Sequence, residues 1–322
     1  MQEQALIGVD VAKAEIVYAV DGTDQTGKVV NDAASLLTWL QRWPVAGHLA
    51  LESTGRYHQL LANLAHQAGW RVYVFNPADV RRYRQSLGVR GKTDRNDAQA
   101  IAQMLAERHA RKRCRPWTPG TASQQLLDAL LRRRATLAVH RCAIVQATED
   151  VASLAEALSA AKRAIDALIK ALDAGILECV QADEAIARTY HQLDAVVGIG
   201  PQTAALLANL LHRIRFANAD AIVAYSGLDP RPNDSGQHRG RRRITKRGPP
   251  EMRRLLFLAA QAAAKSKAAR PVYEAIRAKG FSTTQALVIL ARKLLRVAYS
   301  IWKTGQPFDP QRILPPAACQ KP

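Results

Sequence analysis

Four carboxylates stand at positions where they could do chemistry. Asp10 ends the run Ala5-Leu-Ile-Gly-Val-Asp10, and Glu52 ends His48-Leu-Ala-Leu-Glu52. Asp94 and Asp97 sit three apart in Lys92-Thr-Asp94-Arg-Asn-Asp97. The first two each close a short apolar run that reads as a buried strand. The second two open a segment with helical spacing (Ile101, Met104, Leu105), which puts both on one helix face. Two strand-end acids and a helical acid pair can converge on one point, and an all-oxygen cluster of that kind suits a hard divalent cation, magnesium or manganese. Taken singly, each has a plainer reading: a helical Asp pair is most often a solvated face, and Asp94 could simply cap its helix. The strand ends weigh more. An ionised carboxylate at the end of an apolar run is costly unless paired or on a metal, and functional groups of open α/β sheets gather at strand ends.

A second chemical feature lies far along the chain, in Tyr225-Ser-Gly-Leu-Asp-Pro230-Arg-Pro-Asn-Asp234-Ser235-Gly236-Gln-His238 and the residues to Gly248. Proline and glycine predict a long loop, which in a compact domain is usually functional or disordered. Ser235 follows Asp234 and precedes six cations: Arg239, Arg241, Arg242, Arg243, Lys246 and Arg247. A serine in a turn is ordinarily a turn former; this one stands beside a stretch suited to phosphate, which makes it a candidate nucleophile.

The elements needed to position these groups can be read in order. Residues 5–30 predict three antiparallel strands with Asp21-Gly-Thr as a turn. Ser35 to Trp43 reads as a helix stopped by Pro44. The Glu52 strand follows, then a helix from Tyr57 to Ala68 capped by Gly69. Arg71-Val-Tyr-Val-Phe75 is a strand halted at Asn76-Pro77, and the acid-bearing helix comes next. That order is the order of an RNase-H-like domain, ending near residue 110. A basic run from Arg108 to Arg115 reads as a linker that touches phosphate or as a solvated tether. Ser123 to about His191, without proline and with the single glycine Gly175, predicts one or two long helices, a coiled-coil hairpin suited to dimerisation.

Gly198-Ile-Gly200-Pro-Gln-Thr203 invites a dinucleotide-binding reading, with Asp220 at a ribose partner's distance. The third glycine and any strand–helix alternation are missing. A helix-hairpin-helix, its turn aiming amides and a helix N-terminus at a phosphate, reads better, with a plain packing corner as the bland alternative. Gly198, Gly200 and Thr203 are thereby nucleic-acid candidates. Helices over 251–267, 271–279 and 283–303 complete the chain.

Composition bounds the partner. Over 322 residues, 46 Lys and Arg outweigh 27 Asp and Glu, for a net charge of +19. That surplus predicts a polyanion, nucleic acid first and a membrane surface second. No apolar run reaches the roughly 18 residues of a spanning helix, and Met1-Gln-Glu-Gln lacks the features of a signal peptide. The cysteines (Cys114, Cys142, Cys179, Cys319) form no Cys-x-x-Cys pair, which argues against structural zinc and for reduced thiols in a cytoplasm.

With these motifs in place the chain resembles the DEDD transposases of the IS one-ten group, the bridge-RNA-guided recombinases related to Piv-type DNA invertases. The resemblance runs nearly end to end, through Gly8-Val-Asp10-Val-Ala-Lys13, Leu51-Glu52-Ser-Thr-Gly55, Asn76-Pro77, Lys92 to Ala98, Gly198-Ile-Gly200, Tyr225-Ser-Gly-Leu228 and Ser235-Gly236. It implies an N-terminal RuvC-like metal domain (1–110), a basic linker and coiled-coil hairpin (111–192) and a mostly helical C-terminal transposase domain (193–322). By the same resemblance Asp10, Glu52, Asp94 and Asp97 bind magnesium or manganese, and Ser235 becomes linked to DNA as a phosphoserine. It further implies donor and target DNA, a guide RNA, and a dimer or tetramer in which the acids of one protomer meet the serine of another. Asp234 has no role assigned by it.

Three other functions compete with a recombinase. A metal-dependent nuclease or junction resolvase would need the acids and a water but no Ser235. A non-catalytic nucleic-acid binder would explain the charge but not the strand-end acids. A sugar-kinase or actin-like ATPase would need a second phosphate loop, and Asp21-Gly-Thr23 reads as a hairpin turn instead.

Overall fold

The structure is a computed structural model describing residues 4–309 except positions 44, 54, 56, 89, 90, 92, 232, 233, 236, 237 and 241; at 234, 235, 238 and 239 it describes the backbone alone. The chain forms two compact units, Met1–Pro119 and Gly120–Pro322.

The first unit is α/β. Strands β1 (Leu6–Val11), β2 (Glu15–Val20) and β3 (Thr26–Val30) form an antiparallel meander. Helix α1 (Ala33–Gln41), β4 (His48–Glu52), α2 (His58–Gln67) and β5 (Arg71–Phe75) follow. The sheet order is β3-β2-β1-β4-β5, with β1–β4 and β4–β5 parallel. Strand alternation sorts the side chains onto two faces. Ile7, Val9, Leu49, Leu51 and Val72 pack with Leu36, Trp39, Leu40 and Leu61 of α1 and α2. Ala50, Tyr73 and Phe75 pack on the opposite face against Val80, Ile101, Met104 and Leu105. Those last four belong to α3 (Pro77–Ser86) and α4 (Asp94–Ala110). This five-stranded mixed sheet with helices on both faces is consistent with an RNase-H-like domain.

Helix α3 is an addition to the sequence reading, which took Asn76-Pro77 as a stop only. The same dipeptide starts a helix: the Asn76 side chain accepts from the Ala78 N–H at 2.9 Å, and Pro77 occupies the first helical position. Beyond α4 the chain stays with this unit, since the Trp117 amide donates to the Val72 carbonyl at 2.6 Å.

The second unit is helical but for one hairpin. Helices α5 (Ala122–Thr148) and α6 (Ala155–Gln181), 27 residues each, run antiparallel, joined along their length by Arg134–Asp173 (2.6 Å) and Arg141–Asp166 (2.5 Å). Only the root of this pair (Leu127, Leu131, Ile176, Val180) enters the main core, while Val139 and Leu168 are exposed. Helices α7 (Glu184–Asp194), α8 (Pro201–Arg213), α9 (Ala219–Ser226), α10 (Pro250–Lys265), α11 (Arg270–Ala278) and α12 (Thr283–Thr304) supply the rest of that core. The segment read as an irregular loop is partly ordered. Pairs β6 (Pro230–Arg231) with β9 (Arg243–Ile244) and β7 (Asp234–Ser235) with β8 (His238–Arg239) make a two-tier hairpin. Among the described residues no helix is long and apolar enough to cross a membrane.

Candidate functional site

Alternation decides where the strand-end acids point. Gly8 faces α4 so closely that a Cβ there would lie 2.2 Å from the Ala102 amide nitrogen and 2.3 Å from the Ala98 carbonyl. Asp10, two residues on, shares that face. Val9 registers with Leu51 in parallel, so Asp10 and Glu52 fall side by side at the C-terminal ends of neighbouring strands, both toward α4. Helix α4 runs the opposite way. Its far end brings the His109 ring to 4.2 Å from His48, at the start of β4, so its first turn reaches the strand ends. Asp94 and Asp97 lie on the stripe that continues through Ala98 and Ile101. The sheet and one helix thus direct four carboxylates to one end of one face.

The four differ in surroundings. Asp97 is buried and takes an ion pair from Arg84 of α3, while Asp94 is exposed. Asp10 and Glu52 are half-buried. Asp94 is not the helix cap: the Thr93 hydroxyl accepts from the Asn96 N–H at 3.2 Å and does that work, leaving Asp94 available. Lys28 of β3 is held protonated above its usual range first by Glu15, hydrogen-bonded at 2.6 Å, and to a smaller extent by the charge of Asp94. The donor types suit a hard cation. Among the described residues, however, no three His, Cys, Asp or Glu are grouped closely enough to hold an ion. Arg84 pairs with Asp97, and Lys28 lies within electrostatic reach of Asp94. Arg84 and Lys28 were not among the sequence candidates; Arg84 lies on the unforeseen α3, whose last turn is basic just before the acid helix.

The basic run after α4 contributes Arg108, Arg111 and Arg113 to a groove of about 400 Å³ that also includes Tyr83, Met104 and Glu107. Within it the Tyr83 hydroxyl donates to Glu107 at 2.7 Å, and the Arg108 guanidinium lies 5.1 Å above the Phe75 ring.

The serine hairpin is tied off at a narrow neck. The Lys246 amide donates to the Gly227 carbonyl at 2.9 Å and the Thr245 amide to the Asp229 carbonyl at 3.0 Å. The chains cross so closely that a Cβ at Gly248 would sit 2.0 Å from the Tyr225 carbonyl oxygen. Gly227 is left-handed (φ 71°), and Lys246 takes φ 54°. Ser226 is fully buried, its hydroxyl donating to the Val223 carbonyl at 2.6 Å and accepting from the Leu228 amide at 3.2 Å. The Tyr225-Ser-Gly-Leu motif is therefore the clasp of the neck. Arg242, Arg243 and Lys246 are exposed on the returning strand and Arg247 is half-buried; Arg239 lies on β8, opposite Asp234. Arg241 lies outside the described residues. Ser235 pairs in register with His238 at the tip-side tier.

The glycine turn serves packing more than was expected. A Cβ on Gly198 (φ 90°) would meet the Ala259 carbonyl at 2.4 Å, so Gly198 lets α10 approach. The Thr203 side chain is buried, at 5% exposure, in the helical core. Gly200 opens α8 with open space around it and keeps the phosphate reading alive. Asp220, considered as a ribose partner, is paired with Arg296 at 2.5 Å.

Comparison with known proteins finds two family matches along the chain. Residues 7–154 match the DEDD transposase model of the IS110 family, described as a transposase, and residues 190–274 match the model described as transposase IS116/IS110/IS902 family. The pilin gene-inverting protein of Moraxella bovis is 27% identical over 94% of this chain and 97% of its own length. The transposase for insertion sequence element IS1111A of Coxiella burnetii is 28% identical over 81% and 78%. A 43.6 kDa insertion element IS110 protein of Streptomyces coelicolor is 32% identical over 49% of this chain and 38% of its own. The two family models between them span well over half of the sequence, and the chain belongs to the IS110 family of transposases, enzymes that recombine DNA.

Proposed function

We propose that this transposase is a site-specific, RNA-guided recombinase that cuts and joins DNA through a phosphoserine at Ser235, with Asp10, Glu52, Asp94 and Asp97 as the magnesium- or manganese-binding set. One observation carries the reading: the acids of two adjacent strand ends and of one helical turn are directed to the same end of the same sheet face. A divalent ion held there supplies activation of a hydroxyl and neutralisation of charge on phosphate. Asp97 must exchange Arg84 for that ion, a trade of one cation for another at the same carboxylate.

The chemistry on Ser235 balances without an external energy source. Its Oγ forms a bond to phosphorus, the bond from phosphorus to a deoxyribose oxygen breaks, and that oxygen takes up the proton the serine loses. The ester bond energy is retained, so a second deoxyribose hydroxyl can reverse the step and join a different strand. Arg239, Arg241, Arg242, Arg243, Lys246 and Arg247 hold the flanking phosphates, with guanidiniums suited to bidentate contact. Gly198 and Gly200 shape the turn before α8, whose N-terminus faces a backbone phosphate. Inversion of a pilin gene, as a relative is named for, is a strand exchange of this kind. The charge of +19 suits a polyanion partner, DNA and a guide RNA alike.

The domains under this reading are a RuvC-like catalytic domain (1–110), a linker and coiled-coil hairpin (111–192) that builds a dimer or tetramer, and a serine-bearing transposase domain (193–322), working in a cytoplasm. The acids and Ser235 belong to different compact units, which keeps one alternative in play: the acid unit hydrolyses DNA by itself, as a junction resolvase does. Denaturing gels with end-labelled DNA separate the two. A protein–DNA adduct that vanishes in Ser235→Ala and in Asp10→Ala supports the phosphoserine; free ends and an active Ser235→Ala enzyme support hydrolysis. Sequencing the RNA that co-purifies tests guidance, with one discrete species expected and random fragments counting against it.

A further inference from the structure

Arg292 of α12 lies within electrostatic reach of Asp229, at the neck of the serine hairpin, and of Asp220. Along α12, Tyr299 donates to the Phe216 carbonyl at 3.2 Å, and Arg296 pairs with Asp220 at the start of α9. The two helices therefore run antiparallel, and Arg292, one turn before Arg296, lies toward the exit of α9, where the chain enters the serine hairpin. Its Nε is buried and makes no hydrogen bond among the described residues. Neighbouring arginines do have partners: Arg253 donates to the Ser226 (3.3 Å) and Gly248 carbonyls, clamping the neck, and Arg296 has its carboxylate. The Asp229 carboxylate, at the neck, is occupied by the Thr245 hydroxyl. Burial, then the charge of Arg296, lowers the Arg292 pKa, and the more distant Asp229 and Asp220 offset this only in part. A half-buried arginine whose Nε is shut off from water without a hydrogen bond costs folding free energy. Such a group persists where a ligand of opposite charge completes it.

We infer that Arg292 is a phosphate-binding residue at the base of the serine hairpin, holding a DNA backbone phosphate next to the one that is attacked. The inference rests on the reading of Ser235 as the reacting group, and it extends that site from the loop to a rigid helix. A helix-borne guanidinium gives the substrate a fixed point that a hairpin of two-residue strands does not.

The test uses the full chain, a short fluorescent DNA duplex titrated at rising sodium chloride, and thermal unfolding. Arg292→Met should lower the slope of log affinity against log salt by about 0.9, the signature of one lost phosphate contact. It should melt at or above the wild-type temperature, because a buried nitrogen without a hydrogen bond has been removed. Arg292→Lys should restore the slope. A wild-type slope in Arg292→Met overturns the inference, and so does a fall in melting temperature beyond about 4 °C, which assigns the residue to the fold. The Ser235 reading is scored separately by the covalent adduct. A wild-type enzyme that forms none removes the phosphoserine and leaves Arg292 to be judged on its slope.

Discussion

The two chemical regions of this molecule are held in place by opposite means. The carboxylates stand on a sheet and a helix, with their directions set by strand register and helical spacing and locked by the approach of α4 to Gly8. Ser235 stands on a hairpin of two-residue strands whose neck is tied by backbone hydrogen bonds. The proposed cation site would need several donors drawn together around the ion, a task for which regular elements are the suited scaffold. Under the proposed function, a serine that reaches a phosphate and then carries a strand elsewhere would benefit from standing on such a hairpin. The acid region should therefore fail by losing its fold, and the serine region by losing its aim.

The strongest way to break this contrast is Gly8→Val. Its new side chain would drive into the backbone of Ala98 and Ala102, costing about 3 kcal/mol and recombination together, as urea unfolding and an inversion assay would read. Retained stability would mean that α4 is not locked as described.

Acid should act on the same unit with comparable size. Burial, then His109 and Arg71, lowers the His48 pKa from 6.5 to about 4. The unfolded chain binds this proton more readily, so His48 contributes its full stability above about pH 6.5 and loses it as pH falls toward 4. The loss is of the order of 3 kcal/mol, and His48→Gln should flatten it. His212 in the second unit, lowered by burial, acts in the same direction.

Gly248→Ala sharpens the comparison from the other side. The added methyl meets the Tyr225 carbonyl and should cost about 2 kcal/mol. Recombination should fall further than this loss of stability accounts for, while hydrolytic nicking by the acid unit, where present, stays. Equal losses in both activities would contradict a neck that acts on aim.

The smallest effect belongs to Thr93→Ala, which removes the cap of α4 and about 1 kcal/mol. Fraying of the first turn should raise the magnesium concentration needed for half-maximal activity. Unchanged metal dependence would place Asp94 and Asp97 outside the ion's reach.

Much of the acid unit was legible from local signals. Alternation in 5–20, the turn at Asp21-Gly-Thr, the stop at Gly69 and the apolar spacing after Asp97 each concern residues within one turn or one strand of each other. Asn76-Pro77 shows the limit. A proline ends one element and suits the first position of the next, and the sequence offers no local reason to prefer one role. Thr203 shows another: its place in the core depends on which face of α8 the later helices cover. The Tyr225-Ser-Gly-Leu motif, suggestive as chemistry, turned out to clasp the hairpin.

The sequence by itself determined the identity of the acids, their positions at element ends, the helical pair and the basic arm, because strand and helix periodicity are properties of neighbouring residues. Tertiary structure alone decided that Asp10 and Glu52 lie side by side, that α4 runs back across them, and that Arg84 meets Asp97. Those facts depend on the parallel register of strands about 40 residues apart and on a helix seated against a bare glycine backbone. Packing over such separations is settled by the whole core at once, which no local pattern encodes.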